Sequence, residues 1–331
     1  MTCPPLHRPR RLRATGALRA MVAETRVDPA QLVLPVFVQE GIIEPAEITS
    51  MPGVRRHTME TLAKTAAEVV ELGLGGMMLF GVPSEENKNA TGNQAIADDG
   101  ILNQALRRVR AEVGDATVIM ADTCLDEFTT HGHCGVLDKD GRVDNDATLE
   151  RYAEQAVAQA SAGAHMVSPS GMMDGQVGVI REALDSAGFF DVGILAYSAK
   201  YASGFYGPFR EAVSCSLEGD RRTYQMNPAN RREGSYETAL DIAEGADMVM
   251  VKPAGYYLDI ISDVATLSDV PVAAYQVSGE YAMIQAAAQR GWIDQARVLH
   301  ETVVSILRAG ADVVLTYGAM ELASALLKRK E

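Results

Sequence analysis

Two lysines stand where runs of apolar, β-branched sequence stop. Lys252 closes Met248-Val249-Met250-Val251 and is followed by Pro253, and Lys200 sits in Ala196-Tyr197-Ser198-Ala199-Lys200-Tyr201. Lysine is otherwise scarce: Lys64, Lys88, Lys139, Lys328 and Lys330 all fall in helical or loop contexts where a solvated charge is expected. An ammonium at the end of a buried strand is costly unless paired, so such a lysine tends to shed its proton. The neutral amine attacks ketones and forms Schiff bases. Two such amines on neighbouring strands would depress one another further. Either lysine alone suits a paired structural residue equally well; the two together favour covalent amine chemistry.

A second cluster is Asp122-Thr123-Cys124-Leu125-Asp126, followed by His131-Gly132-His133-Cys134-Gly135. Cys124, Asp126 and Cys134 together offer two thiolates and a carboxylate, a ligand set for a divalent metal. The competing reading makes the thiols small buried hydrophobes and the histidines loop residues. A third feature is anion capture by Arg210 and by Arg221-Arg222, because a guanidinium matches a carboxylate with two parallel hydrogen bonds. Surface ion pairing is the alternative there. The single Trp292 and the methionines are expected to pack the core.

These groups need a frame that brings strand ends together. The strand candidates are Leu32–Val38, Gly76–Phe80, Thr117–Ala121, His165–Ser168, Gly193–Ala196, Met248–Val251, Val272–Gln276 and Asp312–Thr316. Several lack polar alternation, as parallel strands buried on both faces do. Amphipathic stretches lie between them: Thr58–Leu72, Thr148–Ala162, Gln176–Ala187, Tyr236–Glu244 and Asp294–Ala309. Gly73, Gly163, Gly245 and Gly310 each precede the next strand, where a left-handed cap ends a helix. Eight alternations with this punctuation predict an α/β fold, a (β/α)8 TIM barrel over residues 31–331 with an N-terminal extension arm over residues 1–30. A doubly wound sheet is disfavoured, since no Gly-x-Gly-x-x-Gly follows the first strand. In a barrel of this kind the C-terminal strand ends carry the reactive groups, and Asp122, Ser168, Lys200, Lys252, Ser278 and Tyr317 all fall there. Two loops, Cys124–Ala147 and Lys200–Ser235, are long enough to be functional.

The 331 residues are 47% apolar and 22% charged, with a net charge of −14. That balance argues against disorder and against general nucleic-acid binding. No apolar run approaches the ~20 residues of a membrane span. Arg8, Arg10, Arg11, Arg13 and Arg19 form a local basic segment, expected to pair with acidic surface on a neighbouring subunit, with a nucleic-acid arm the alternative reading. Cys3, Cys124, Cys134 and Cys215, with no apolar stretch after those arginines to make an export signal, read as thiols of a cytoplasmic protein.

Nearly end to end, from Ser50-Met51-Pro52-Gly53-Val54 to Leu315-Thr316-Tyr317, the chain resembles the porphobilinogen synthase (5-aminolevulinate dehydratase) family. The most specific segments are Tyr197-Ser198-Ala199-Lys200-Tyr201-Ala202-Ser203, Phe205-Tyr206-Gly207-Pro208-Phe209-Arg210, Gly245-Ala246-Asp247-Met248-Val249-Met250-Val251-Lys252-Pro253 and Thr129-Thr130-His131-Gly132-His133-Cys134-Gly135. The resemblance implies condensation of two 5-aminolevulinate molecules to porphobilinogen with loss of two waters, in haem synthesis. It implies a Schiff base on Lys252 to the substrate that supplies the propionate arm, with Ser278 and Tyr317 on that substrate's carboxylate. Lys200 would bind the second substrate, whose carboxylate meets Arg210 and Arg221.

The metal loop departs from the family's zinc form, which carries three cysteines: Asp126 stands at the second position here. That hardens the site, so magnesium is expected to stimulate more reliably than zinc, with zinc at Cys124, Asp126 and Cys134 the other outcome. Many members carry Asp where Gly171 stands. Pro253-Ala254-Gly255-Tyr256-Tyr257 departs mildly from the usual Pro-Gly-x-Pro-Tyr. Glu237 falls where members carry the glutamate of an allosteric magnesium site. The family's octamer, with arms wrapping neighbours, would account for the basic segment. The rivals are a class I aldolase, which uses one barrel lysine, and a non-catalytic metal-binding scaffold barrel.

Overall fold

The computed structural model describes residues 7–217 and 219–328, so Cys3 and Lys330 lie outside the described residues. The chain begins with a 3-10 turn, Pro9–Arg13, and a short helix α1 (Gly16–Met21), neither of which buries a residue. It then runs β1 (Leu32–Gln39), β2 (Ala46–Glu47), β3 (Arg55–His57), α2 (Met59–Glu71), β4 (Gly76–Val82), α3 (Ile101–Val113) and β5 (Val118–Thr123). Next come α4 (Asn145–Ser161), β6 (Met166–Pro169), α5 (Gln176–Ser186), β7 (Gly193–Lys200), α6 (Gly207–Ala212), α7 (Arg231–Glu244) and β8 (Met248–Lys252). The chain closes with α8 (Leu258–Leu267), β9 (Val272–Gln276), α9 (Ser278–Gln289), α10 (Gln295–Ala309), β10 (Val313–Thr316) and α11 (Ala319–Lys328).

The order β1-β4-β5-β6-β7-β8-β9-β10 is parallel throughout, and β10 pairs back to β1, which closes the barrel. The β2–β3 hairpin flanks the top of β1, with Phe37 opposite Arg56. Closure buries both faces of each strand and so produces two cores. Val33, Phe37, Met78, Phe80, Met120, Leu195, Tyr197, Met250, Tyr275 and Leu315 fill the barrel interior. Their neighbours in sequence, such as Leu34, Val36, Met77, Leu79, Ile119, Ala196 and Val249, face the helices. This period-two division is the pleat made visible.

Helix ends follow local chemistry. Thr58, Asp144 and Asp294 cap α2, α4 and α10 by accepting from a backbone N–H in the first turn. Gly73, Gly163, Gly245 and Gly310 all take positive φ after their helices, from 69° to 121°.

Three expectations fail, the first only in part: Met21 on α1 and Met283 on α9 are exposed, while the other described methionines are buried or half-buried. Trp292 is exposed, stacked under the Arg290 guanidinium 5.1 Å away, because it lies in the turn after α9, just past Gly291 with its positive φ, and outside any core-facing element. Lys88 is buried: its ammonium bonds Glu85 at 2.6 Å and the Ser214 carbonyl at 2.8 Å, tying two mouth loops together. A local acid and a distant carbonyl satisfy the charge that loop context alone assigned to solvent. Among the described residues no helix is long and apolar enough to cross a membrane.

Candidate active site

Lys200 and Lys252 are register partners at the ends of adjacent strands β7 and β8. The pairing runs Ala196 opposite Val249, then Ala199 opposite Val251, so β7 contains one extra residue, a β-bulge. Leu195 and Tyr197 point inward, and strict alternation would send Ala199 inward and Lys200 out. The bulge reverses the parity: Ala199 joins the outer core, and Lys200 turns into the barrel beside Lys252.

Both lysines are 5% exposed. Their ammonium groups lie 5.6 and 4.9 Å from the centroid of the same Tyr197 ring. Lys252 is further enclosed by Tyr206, Phe209 and Tyr275, the last at 4.3 Å. Burial, and then the charge of Lys200, lower the Lys252 pKa to about 7, so half its population is a neutral nucleophile near neutrality. The Lys200 ammonium donates to the Ser170 carbonyl.

Ser278, the first residue of α9, is 1% exposed; its hydroxyl accepts from the Phe209 N–H at 3.0 Å and donates to the Phe205 carbonyl. The Tyr317 hydroxyl lies 3.1 Å from that of Tyr275, whose ring covers Lys252. The structure therefore gathers Ser278 and Tyr317 around Lys252. Arg210 and Arg221 line one cavity of about 580 Å³ with Ser203, Asp220, Arg222 and Gln225. Arg210 is exposed there, whereas Arg221 is buried and bonds the Asp126 carboxylate and the Gly132 carbonyl, both at 2.8 Å.

Cys124, Asp126 and Cys134 are all buried, and their ligand atoms lie within 4.8 Å of one another. Burial opposes ionisation of Asp126, but Arg221 and Lys200 outweigh it and hold the carboxyl down at about 2. Burial raises the Cys124 thiol; Cys134 is also buried, but a hydrogen bond from Cys124 and the charge of Arg221 bring it down net. Two thiols beside a fixed carboxylate in a dry pocket fit a divalent metal, which would take the thiols as thiolates. Tyr152 supports this cluster by donating to the Cys134 carbonyl at 2.7 Å. The departure at Gly171 has its reason here: a Cβ at Gly171 would collide with the Tyr152 hydroxyl.

Glu237, on α7, lines an adjoining cavity of about 610 Å³ with Asp174, Glu233 and His133; it shares Asp220, Arg222 and Gln225 with the arginine cavity. Burial and then the charges of Asp174, Glu233 and Glu244 raise its carboxyl. Arg142 and Arg222 line the same cavity, where Asp174, Asp220, Glu233 and Glu237 outnumber them.

Sequence reasoning passed over Tyr197 and Tyr275, buried against the lysines, and Glu127, buried beside Asp122 and Asp126. For the tyrosines the signal was the phase of the inward-facing positions, legible only once the strand ends were known; Glu127, in the loop after β5, carries no such signal.

Fold and site together define a (β/α)8 barrel with a buried amine pair at its mouth and a thiolate–carboxylate cluster beside it. The profile of the family described as delta-aminolevulinic acid dehydratase matches residues 6–325. The Streptomyces coelicolor delta-aminolevulinic acid dehydratase is 65% identical over 96% of this chain and 97% of its own. The Escherichia coli protein of the same name is 49% identical over 98% of this chain and 99% of its own. The crystal structure of the Toxoplasma gondii enzyme in complex with its reaction product porphobilinogen superposes with a TM-score of 0.95 at 43% identity, covering 98% of this chain and 93% of that one. The chain belongs to the delta-aminolevulinic acid dehydratase family, metal-dependent lyases.

Proposed function

We propose that the protein is a porphobilinogen synthase, condensing two 5-aminolevulinate molecules into porphobilinogen with loss of two waters. The observation that carries the mechanism is the register pairing of Lys200 with Lys252 inside the barrel, with Lys252 near half-neutral at pH 7. The Lys252 amine adds to the ketone carbon of one substrate, and water leaves as the imine forms; Lys200 does the same with the second. The intersubstrate C–C and C–N bonds then replace the two lysine C–N bonds, and both lysines return as amines. The net loss is two waters. Covalent anchoring fixes two copies of one molecule in different orientations, which is a proximity problem.

Ser278 and Tyr317 receive the carboxylate of the substrate on Lys252, supported by their position around that lysine. Arg210 and Arg221 receive the other carboxylate across their shared cavity. Cys124, Asp126 and Cys134 would hold a divalent cation, which would supply Lewis acidity beside the second substrate. With Arg221 already on Asp126, the zinc affinity of this set is reduced, and magnesium is the better activator. Magnesium also binds at Glu237, where clustered acids favour a cation. The N-terminal segment, residues 1–30, acts as an arm in a homo-octamer, a reading supported by Pro9–Arg13 and α1, neither of which buries a residue. Free buried thiols suit a reducing compartment, and we assign the enzyme to the cytoplasm.

Borohydride reduction in the presence of 5-aminolevulinate, followed by peptide mass analysis, tests the chemistry. An adduct on Lys252 is expected. No adduct on any lysine would leave the scaffold reading standing, and full turnover after loss of Lys200 would favour the aldolase reading.

A further inference from the structure

One flank of Asp126 faces the thiols; the other faces carboxylates that no role above uses. Asp122, at the inner end of β5, and Glu127 each offer an oxygen within 4.8 Å of one on Asp126, and of each other. All three residues are at most 3% exposed. Among the described residues, Asp122 Oδ1 and Glu127 Oε1 have no hydrogen-bond partner at close range and neither residue forms a direct ion pair, while the Tyr197 hydroxyl and the charges of Lys200 and Lys252 face Asp122 from its other side. The one salt bridge to the group is Arg221 on Asp126 Oδ2. Asp122 Oδ2 accepts from the Ser170 hydroxyl at 3.2 Å, and the Lys200 ammonium goes to the Ser170 carbonyl instead.

Withdrawing a carboxylate oxygen from water without a partner is costly, and here two such oxygens stand beside a third carboxylate. A hard divalent cation answers that need, since magnesium and manganese take oxygen ligands at about 2.0–2.2 Å. We propose that Asp122, Asp126 and Glu127 form a second, all-oxygen divalent-cation site that shares Asp126 with the thiolate site. Because Arg221 occupies Oδ2 of Asp126, one oxygen remains, and it serves one metal at a time. A hard cation draws Asp126 toward Asp122 and Glu127; zinc draws it toward Cys124 and Cys134. The loop is thereby a selector whose occupied side depends on which metal is abundant.

The test uses metal-stripped full-length protein, with Mn2+ as the probe and free Mn2+ read by electron paramagnetic resonance. Glu237→Gln provides the background, removing the other acidic cavity from the count. One Mn2+ per chain is expected to remain, and stoichiometric Zn2+ should release it. Adding Glu127→Gln should weaken Mn2+ binding at least tenfold, Glu127→Asp should restore part of it, and replacing both Cys124 and Cys134 by Ser should leave it intact. Unchanged Mn2+ binding in Glu127→Gln, or loss of Mn2+ with the thiols, overturns the proposal. So does Mn2+ that zinc fails to displace, a result that needs no change in the loop. The readout is binding without substrate, so it is independent of the lysine chemistry.

Discussion

Replacing Lys200 by Met removes one positive charge from the neighbourhood of Lys252 while keeping a side chain of similar length. The two ammonium groups lie 5.6 and 4.9 Å from one ring centroid, so their separation is at most roughly 10.5 Å. At an effective dielectric of about 20, a unit charge at that distance contributes about 1.6 kcal/mol, a little over one pKa unit. The lysine amine is reactive when deprotonated, so a depressed pKa extends reactivity to lower pH. Lys252 starts at about 7. In Lys200→Met it should titrate near about 8, which makes trapping at pH 7 roughly five- to tenfold slower and leaves the rate above pH 9 unchanged. The assay is the pH dependence of borohydride-trapped adduct at Lys252 in single-turnover mixtures, quantified by peptide mass. A midpoint that does not move would refute the claim that the second amine tunes the first.

Three further outcomes follow from the geometry. Asp126→Asn breaks a buried ion pair with Arg221 and should destabilise the fold by about 3 kcal/mol, read by denaturant unfolding at pH 7, while also weakening zinc binding. Because the Asp126 carboxyl sits at about 2, below its unfolded value, this pair is fully present above about pH 4, and the difference between variant and parent should shrink as pH falls toward 2. Gly171→Ala should lower the melting temperature and loosen loop metal, and Tyr152→Phe in the same chain, which removes the clashing hydroxyl, should recover part of the stability. Deleting residues through Arg19 should shift sedimentation toward smaller oligomers, and an unchanged profile would remove the arm from the assembly.

The barrel was legible because its evidence is local. Runs such as Gly76–Val82 are apolar without alternation, which only a strand covered on both sides tolerates, and the four glycines after helices mark where the chain turns back. Val272–Gln276 came out with its observed bounds, and Lys252 was recognisable as a strand-end amine from its neighbours alone. Helix α3 escaped although Ile101, Leu102, Ala105, Leu106 and Val109 share a face, because a glycine-led start has no side-chain cap to announce it. The early part of α7, from Arg231, escaped because its charged first turn carries no apolar stripe.

Residue types and local period settle by themselves which positions are strand ends and which side chains there can do amine, thiolate or guanidinium chemistry. They do not settle which way a side chain points once a strand is irregular. The extra residue of β7 falls at Tyr197-Ser198, between Ala196 and Ala199, and the parity of Lys200 depends on it. A bulge is a property of the pairing between two strands, set by how β7 meets β8 and α7, and neither strand's sequence contains it. The same holds for Arg221 on Asp126, a contact across 95 residues, and for the aromatic enclosure of Lys252 by rings from β7, β9 and the loop that includes α6. Those contacts exist only after closure of the barrel has brought distant strand ends to one mouth.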